Sequence, residues 1–208
     1  MDVHGVSAPV LIMGTGGFAI EICALLRAAG RQVAGFIGPY EGVPLPAPHL
    51  GGDDILERAP PESRVLVAVG EPKLRKRLTE LVARTGRTLE TFISAQAFVA
   101  ADATVEEGAM IYPHATVHAR AHLGRGVLVN SNASVGHETH IGDYSTVGPG
   151  VSLGGRCHIG AGTYLGIGCS MLEELTIAAG AVIGAGAVVV RDIDTAGTYA
   201  GVPARPIS

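Results

Sequence analysis

The chain has 208 residues, enough for one large domain or two modest ones, and 47% of them are apolar, so a substantial core is possible. Its 15 Lys and Arg are interspersed with 19 Asp and Glu for a net charge of -4, which leaves no continuous basic stripe for a nucleic acid. The longest apolar runs, residues 9–13 and 185–190, fall far short of the roughly 20 residues a membrane helix needs.

In chain order, residues 1–5 carry neither the basic start nor the apolar centre of an export signal, and a cytoplasmic protein is expected. An apolar strand at Val10–Met13 then runs into Gly14, Thr15, Gly16 and Gly17, followed by a helical pattern over 18–29. A strand at Val33–Ile37, a Pro-rich loop, a strand over 65–69, an amphipathic helix at Pro72–Arg84 and a last strand over 89–93 complete a short Rossmann-like α/β domain, expected to span residues 1–94. Gly14, Gly16 and Ala19 fit the spacing of a dinucleotide fingerprint, in which amides at a helix N-terminus hold phosphate. An NAD site would also want an acid after the second strand, where the chain has Gly38 and Pro39, so a dehydrogenase is disfavoured.

From Val99 the chain becomes periodic. Stepping by six gives Val105, Ile111, Val117, Leu123, Val129, Val135, Ile141, Val147, Leu153, Ile159, Leu165, Met171, Ile177, Ile183 and Val189, sixteen aliphatic positions with Val99 and no insertion. Two residues before the aliphatic the side chain is mostly small, as at Ala103, Ala109, Ala115, Ala121, Ala133, Thr139, Ser145 and Thr163. One residue after it Gly often follows, as at Gly124, Gly136, Gly142, Gly148, Gly154, Gly160, Gly166 and Gly184. These glycines are expected to supply the turn angles that a side chain would forbid.

This pattern resembles the hexapeptide-repeat family, and the resemblance implies an all-β left-handed parallel β-helix over residues 95–208, three hexads to a coil. Over nearly its whole length the chain is similar to the bacterial sialic-acid O-acetyltransferases and to the sugar-nucleotide N-acetyltransferases of bacillosamine and perosamine synthesis. That likeness implies a homotrimer with active sites between subunits, a β-helix that takes acetyl-CoA, and an α/β domain that takes the nucleotide-sugar. The glycine loop Gly14, Thr15, Gly16, Gly17 is then a substrate contact. Two departures stand out: the family loop commonly ends in His where this chain has Phe18, and its acidic pair after the second strand is Gly38 and Pro39.

Acetyl transfer to an amine or hydroxyl needs a base near neutral pH, which suits His. Residues 130–138, from Asn130 to His137 and Glu138, resemble the family stretch in which the His is the base, the following acid raises its basicity, and Asn130 supports the site. The same alignment lays Gly155, Ile167 and Ala185 along the pantetheine groove. It puts Thr146 where the family has a second His that contacts the cofactor. Residues 201–206 resemble the closing loop, with Arg191 and Arg205 available for cofactor phosphates.

The expected activity is acetyl transfer from acetyl-CoA to the amino group of an amino-sugar, expected to be nucleotide-linked, with no metal and no acyl-enzyme. O-acetylation by the same base is the nearest alternative, and a catalytically silent structural trimer is another. His122, His140 and His158, one coil apart, raise a further alternative from a different class, a metal-dependent hydratase like the γ-class carbonic anhydrases. His114 and His118 share no face and receive no role. Cys23, Cys157 and Cys169, odd in number and without metal-type spacing, are expected to be reduced and packed.

Overall fold

The computed structural model describes residues 8–40 and 42–207; the reading of residues 1–5 as lacking an export signal lies outside them. The chain divides into two compact units, one of Met1–Gly70 and Leu74–Glu90 and the other of Glu71–Lys73 and Thr91–Ser208. Among the described residues no helix is long and apolar enough to cross a membrane.

In the first unit, strands β1 (Val10–Met13), β2 (Val33–Ile37), β3 (His49–Gly51) and β4 (Arg64–Val67) form one parallel sheet in the order β3-β2-β1-β4. All four side chains of β1 are buried, the continuous apolar run expected of a central parallel strand. Helix α1 (Gly17–Ala28) buries Ala19, Ile22, Cys23 and Leu26, a stripe with helical spacing. It closes on Gly30 at φ +72°, where Gly30 N–H donates to the Arg27 carbonyl and Arg31 N–H to that of Leu26, each at 2.9 Å. That pair of bonds satisfies the last carbonyls of the helix. A short helix α2 (Ile55–Arg58) precedes β4, and α3 (Pro72–Arg84) follows it with the bounds the sequence predicts.

The last expected strand, over 89–93, is divided instead between the two units. Leu89 bridges to Val65, whereas Phe92–Ile93 pairs with Met110–Ile111 in the repeat. The repeat therefore begins one hexad before Val99, because Ile93 already obeys its period.

The second unit is a solenoid of three sheets whose strands, as far as Val189, are two residues long and pair in parallel with the strand 18 residues on; Thr198–Ala200 and the antiparallel Arg205–Pro206 are added at the end of one of them. One face carries Thr104–Val105, His122–Leu123, His140–Ile141, His158–Ile159 and Thr176–Ile177. The second runs from Phe92–Ile93 up through Thr146–Val147 to Arg205–Pro206, and the third from Phe98–Val99 up through Ser134–Val135 to Val188–Val189. The aliphatic of each hexad points into one core that includes Ile111, Leu123, Val135, Ile141, Val147, Ile159 and Ile183, all fully buried. Each such side chain contributes about 1.5–3 kcal/mol of burial. The small polar members are satisfied from the neighbouring coil: Thr139 Oγ1 donates to the Gly154 carbonyl at 3.0 Å and Ser145 Oγ to that of Gly160 at 2.9 Å, as buried hydroxyls require.

The glycines have a different job from the one expected. The left-handed turn residue lies two positions further on, at every sixth residue from Gly108 to Gly186, and half of these positions are not glycine: His114, Arg120, Asn132, Glu138, Tyr144, Arg156 and Glu174. The glycines that directly follow the aliphatic sit instead where the next coil presses on them. A Cβ on Gly148 would lie 2.6 Å from the Leu165 carbonyl oxygen, and one on Gly142 would lie 2.6 Å from the Ala161 amide nitrogen. Coil-to-coil distance, set by backbone hydrogen bonding, is what excludes a side chain there.

Candidate active site

His137 and Glu138 follow Val135, at the edge where the third face turns into the histidine-bearing face. Glu138 holds the left-handed turn position, at φ +59°. Because six other non-glycine residues take that conformation in equivalent turns, at a cost of about 1 kcal/mol, it is a property of the repeat and not a mark of catalysis. The imidazole Nδ1 of His137 lies 3.1 Å from Glu138 Oε2. A carboxylate can only accept, so the shared proton sits on Nδ1, and in the neutral ring Nε2 keeps its lone pair. The His137 side chain is half exposed.

Gly155, one coil above, is in contact with this ring. A Cβ at Gly155 would lie 2.5 Å from Nε2 and 2.7 Å from Cε1 of His137, so the absence of a side chain is what lets the imidazole rest there. The carboxylate of Glu138 has further partners that the sequence reading missed. Arg120 Nη2 reaches its Oε1 at 2.9 Å, and Arg156 Nη1 stands 3.9 Å from its Oε2. Arg156 in turn donates through Nε to Glu174 at 2.9 Å. The signal for these residues was present, since Arg120 and Arg156 are one 18-residue coil before and after Glu138.

The other expected site residues are spread over the solenoid. Asn130 uses its side-chain oxygen within its own turn, accepting from Ser131 N–H at 2.7 Å. Ile167 is 60% exposed and Ala185 is also exposed. Both belong to a different edge from His137, where the second face turns into the third. Thr146 on the second face is only 3% exposed. Arg191 and Arg205 do come together, lining a pocket of about 120 Å³ with Tyr199 and Ala204.

The first unit holds a larger cavity of about 920 Å³, lined by Gly14, Thr15, Gly16, Gly17 and Phe18, with Gly38 and Pro39 beside them and Asp53 and Arg77 as its charged members. Gly14 is obligatory: it has φ +126°, and a Cβ would lie 2.7 Å from the Ala68 carbonyl oxygen. Gly16 and Gly17 face open space, leaving the amides at the start of α1 accessible from the cavity, as an anion site requires. Gly38 and Pro39 contribute carbonyls, and side chains engage both: His49 Nε2 lies 2.8 Å from the Gly38 oxygen, and the Thr15 hydroxyl donates to that of Pro39. The fully buried Arg75 fixes the far wall, donating to the Val69 and Gly70 carbonyls at 2.7 and 2.9 Å. Asp53 and Arg77 carried no motif, because only the tertiary fold brings the β3–α2 loop and α3 to the glycine loop.

The histidine column is a stack of rings. His122 and His140 have centroids 4.7 Å apart with planes at 10°, and His140 and His158 are 4.9 Å apart at 7°. Rings stacked face to face do not converge on one ion, and among the described residues no group of three or more His, Cys, Asp or Glu is arranged to hold a metal. The three cysteines are free and buried. Burial pushes the Cys169 thiol up to about 12 and raises those of Cys23 and Cys157, so none is primed as a thiolate nucleophile.

Comparison with known proteins agrees with this architecture. Residues 9–82 match the PglD N-terminal domain, and residues 120–155 match the bacterial transferase hexapeptide (six repeats). No curated protein matches the chain. Among solved structures, the acetyltransferase domain of PglB from Neisseria gonorrhoeae, in complex with acetyl coenzyme A, is 31% identical over 97% of this chain and 100% of its own, with a TM-score of 0.91. A point variant of perosamine N-acetyltransferase from Caulobacter crescentus, in complex with CoA and GDP-perosamine, is 30% identical over 97% of both chains, with a TM-score of 0.92. WeeI from Acinetobacter baumannii is 25% identical over 96% of this chain and 100% of its own, with a TM-score of 0.89. With a PglD-type α/β domain and a hexapeptide left-handed parallel β-helix on one polypeptide, matched from end to end, the chain belongs to the sugar acetyltransferases of the hexapeptide-repeat superfamily.

Proposed function

We propose that this protein moves the acetyl group of acetyl-CoA to the amino group of a nucleotide-linked amino-sugar, with His137 as the general base. The observation that carries the reading is the His137–Glu138 pair, in which a carboxylate 3.1 Å from Nδ1 fixes the tautomer and leaves Nε2 of a half-exposed side chain able to take a proton. As the amine attacks the thioester carbonyl, Nε2 accepts a proton from the nitrogen and Glu138 stabilises the imidazolium. Collapse of the tetrahedral species expels the thiolate of CoA, which takes the proton back from the imidazolium. No acyl-enzyme is needed. Of the relatives named above, the PglB domain is a complex with acetyl coenzyme A and the perosamine N-acetyltransferase is a complex with CoA and GDP-perosamine, which favours an amine over a hydroxyl as the nucleophile.

The cavity beside the glycine loop is the proposed nucleotide site, with the α1 amides of Gly16 and Gly17 toward the phosphates. Gly155, Ile167 and Ala185 would line the pantetheine path, and Arg191 with Arg205 would face the cofactor phosphates. Because His137 and the pair Ile167 and Ala185 occupy different edges of one solenoid, they meet most directly when the edge of one chain is set against another. This is the support for a homotrimer with composite sites. The proposal places the enzyme in the cytoplasm, where its buried free thiols suit a reducing compartment.

Replacing His137 with Ala tests the base: kcat should fall by roughly 10²–10⁴-fold, and turnover within about threefold of the parent would overturn the assignment. Sedimentation of the intact protein tests the assembly, a monomer being incompatible with a composite site. A thermal-shift series of sugar nucleotides with CoA present identifies the acceptor, because only ligands of the folded state raise its stability.

A further inference from the structure

Along the edge that carries the base, side chains one coil apart form a column that alternates in charge: Asp102, then the left-handed turn residues Arg120, Glu138, Arg156 and Glu174. The contacts within it are unequal. Arg120 Nη2 binds Glu138 Oε1 at 2.9 Å, which leaves Oε2 for His137 at 3.1 Å. Arg156 would compete for that same Oε2, yet it is held off at 3.9 Å while its Nε donates to Glu174 at 2.9 Å. Glu138 thus has one oxygen clamped from the coil below, and its competitor above is tethered elsewhere.

We infer that Arg120 is a positioning residue that acts through Glu138, turning the carboxylate so that Oε2 faces the imidazole and the lone pair stays on Nε2. The inference rests on the reading of His137 as the base. Arg120 itself is 67% exposed, and an ion pair at such a site contributes little to stability. Its value is geometric: a guanidinium presents a rigid fork that fixes the plane of a carboxylate. Without it, Glu138 can rotate toward Arg156 and surrender the imidazole.

The test is steady-state kinetics on the full-length protein with acetyl-CoA and its amino-sugar acceptor. Arg120→Gln should lower kcat by about five- to twentyfold with both KM values within about twofold, and Arg120→Lys should recover only part of the loss. In a Glu138→Ala background, Arg120→Gln should change kcat by less than about twofold, because a residue that works through Glu138 has nothing left to position. Arg125→Gln, which removes an inter-coil pair with Glu107 on another edge, should leave kcat unchanged and serves as the control for a structural effect. Unaltered kcat in Arg120→Gln, an equal loss in the presence and absence of Glu138, or an equal loss in Arg125→Gln would each overturn the inference. His137→Ala, measured alongside, separates the two readings. If it retains turnover, the base assignment falls and takes the clamp with it; if it is inactive while Arg120→Gln is not impaired, only the clamp falls.

Discussion

Two columns of side chains climb the solenoid at the same 18-residue step and use it in opposite ways. His122, His140 and His158 repeat one residue and stack ring on ring, whereas Arg120, Glu138, Arg156 and Glu174 change sign at each coil. Parallel pairing puts the same position of successive coils next to each other, so any charge repeated there meets its like. The column beside His137 avoids this by alternation. The histidine column tolerates identity because imidazole can be neutral. Burial first, then His122 and His158, push His140 below its ordinary value of 6.5, against an upward pull from Asp143 and Glu106. A coil edge can therefore assemble a charged network without local motif chemistry, provided the period is kept.

The largest effect should come from breaking the frame both columns share. Ile141→Lys would place an unpaired charge at a fully buried core position between them. The cost should be at least about 3 kcal/mol, enough to unfold the solenoid, and thermal melting followed by circular dichroism checks it. A variant that melts within about 2 °C of the parent would mean that the aliphatics do not form the core described.

Next in size is Gly155→Ala, which intrudes on the proposed base without touching charge. The added methyl would lie 2.5 Å from Nε2 of His137, so the ring must swing away. We expect kcat to fall by about ten- to a hundredfold, since small displacements of a reacting group have large kinetic effects. An unchanged kcat would show that the observed ring position is not the working one.

A smaller effect sharpens the histidine column. With the His140 value lowered in the folded state, the unfolded chain takes up more protons in the window below 6.5, so stability should be lost as pH falls through that window to the folded value. Melting temperatures between pH 8 and pH 5 should decline in the parent, and the decline should be shallower in His140→Gln. An identical slope in both proteins would remove the column as the source. The smallest effect is that of Arg125→Gln on stability: its pair with Glu107, at 2.5 Å and about half exposed, should account for less than about 1 kcal/mol by denaturant titration.

The period was legible because burial in a narrow prism requires one bulky aliphatic per hexad, and Val99 to Val189 supply it without a gap. Helix α3 was equally legible, since its amphipathic stripe is local. The pairing of His137 with Glu138 was legible because the two are adjacent in sequence and the stretch around them resembles a family motif. The turn glycines were misread for a physical reason: period alone does not distinguish a residue that must bend the chain from one that must make room for the coil above. The burial of Thr146 was not legible, because alignment by count carries a position and not its surroundings.

By itself, then, the amino-acid order determined the hexad, the α/β unit that precedes it and the residue most suited to take a proton, all consequences of short-range pattern. Tertiary structure decided where the first unit ends and the repeat begins, that Gly155 lies against the imidazole, that Asp53 and Arg77 join the glycine loop around one cavity, and that Arg120 reaches Glu138 across a coil. Those arrangements depend on distances between residues remote in sequence. Such distances exist only once backbone hydrogen bonds have locked the coils in register.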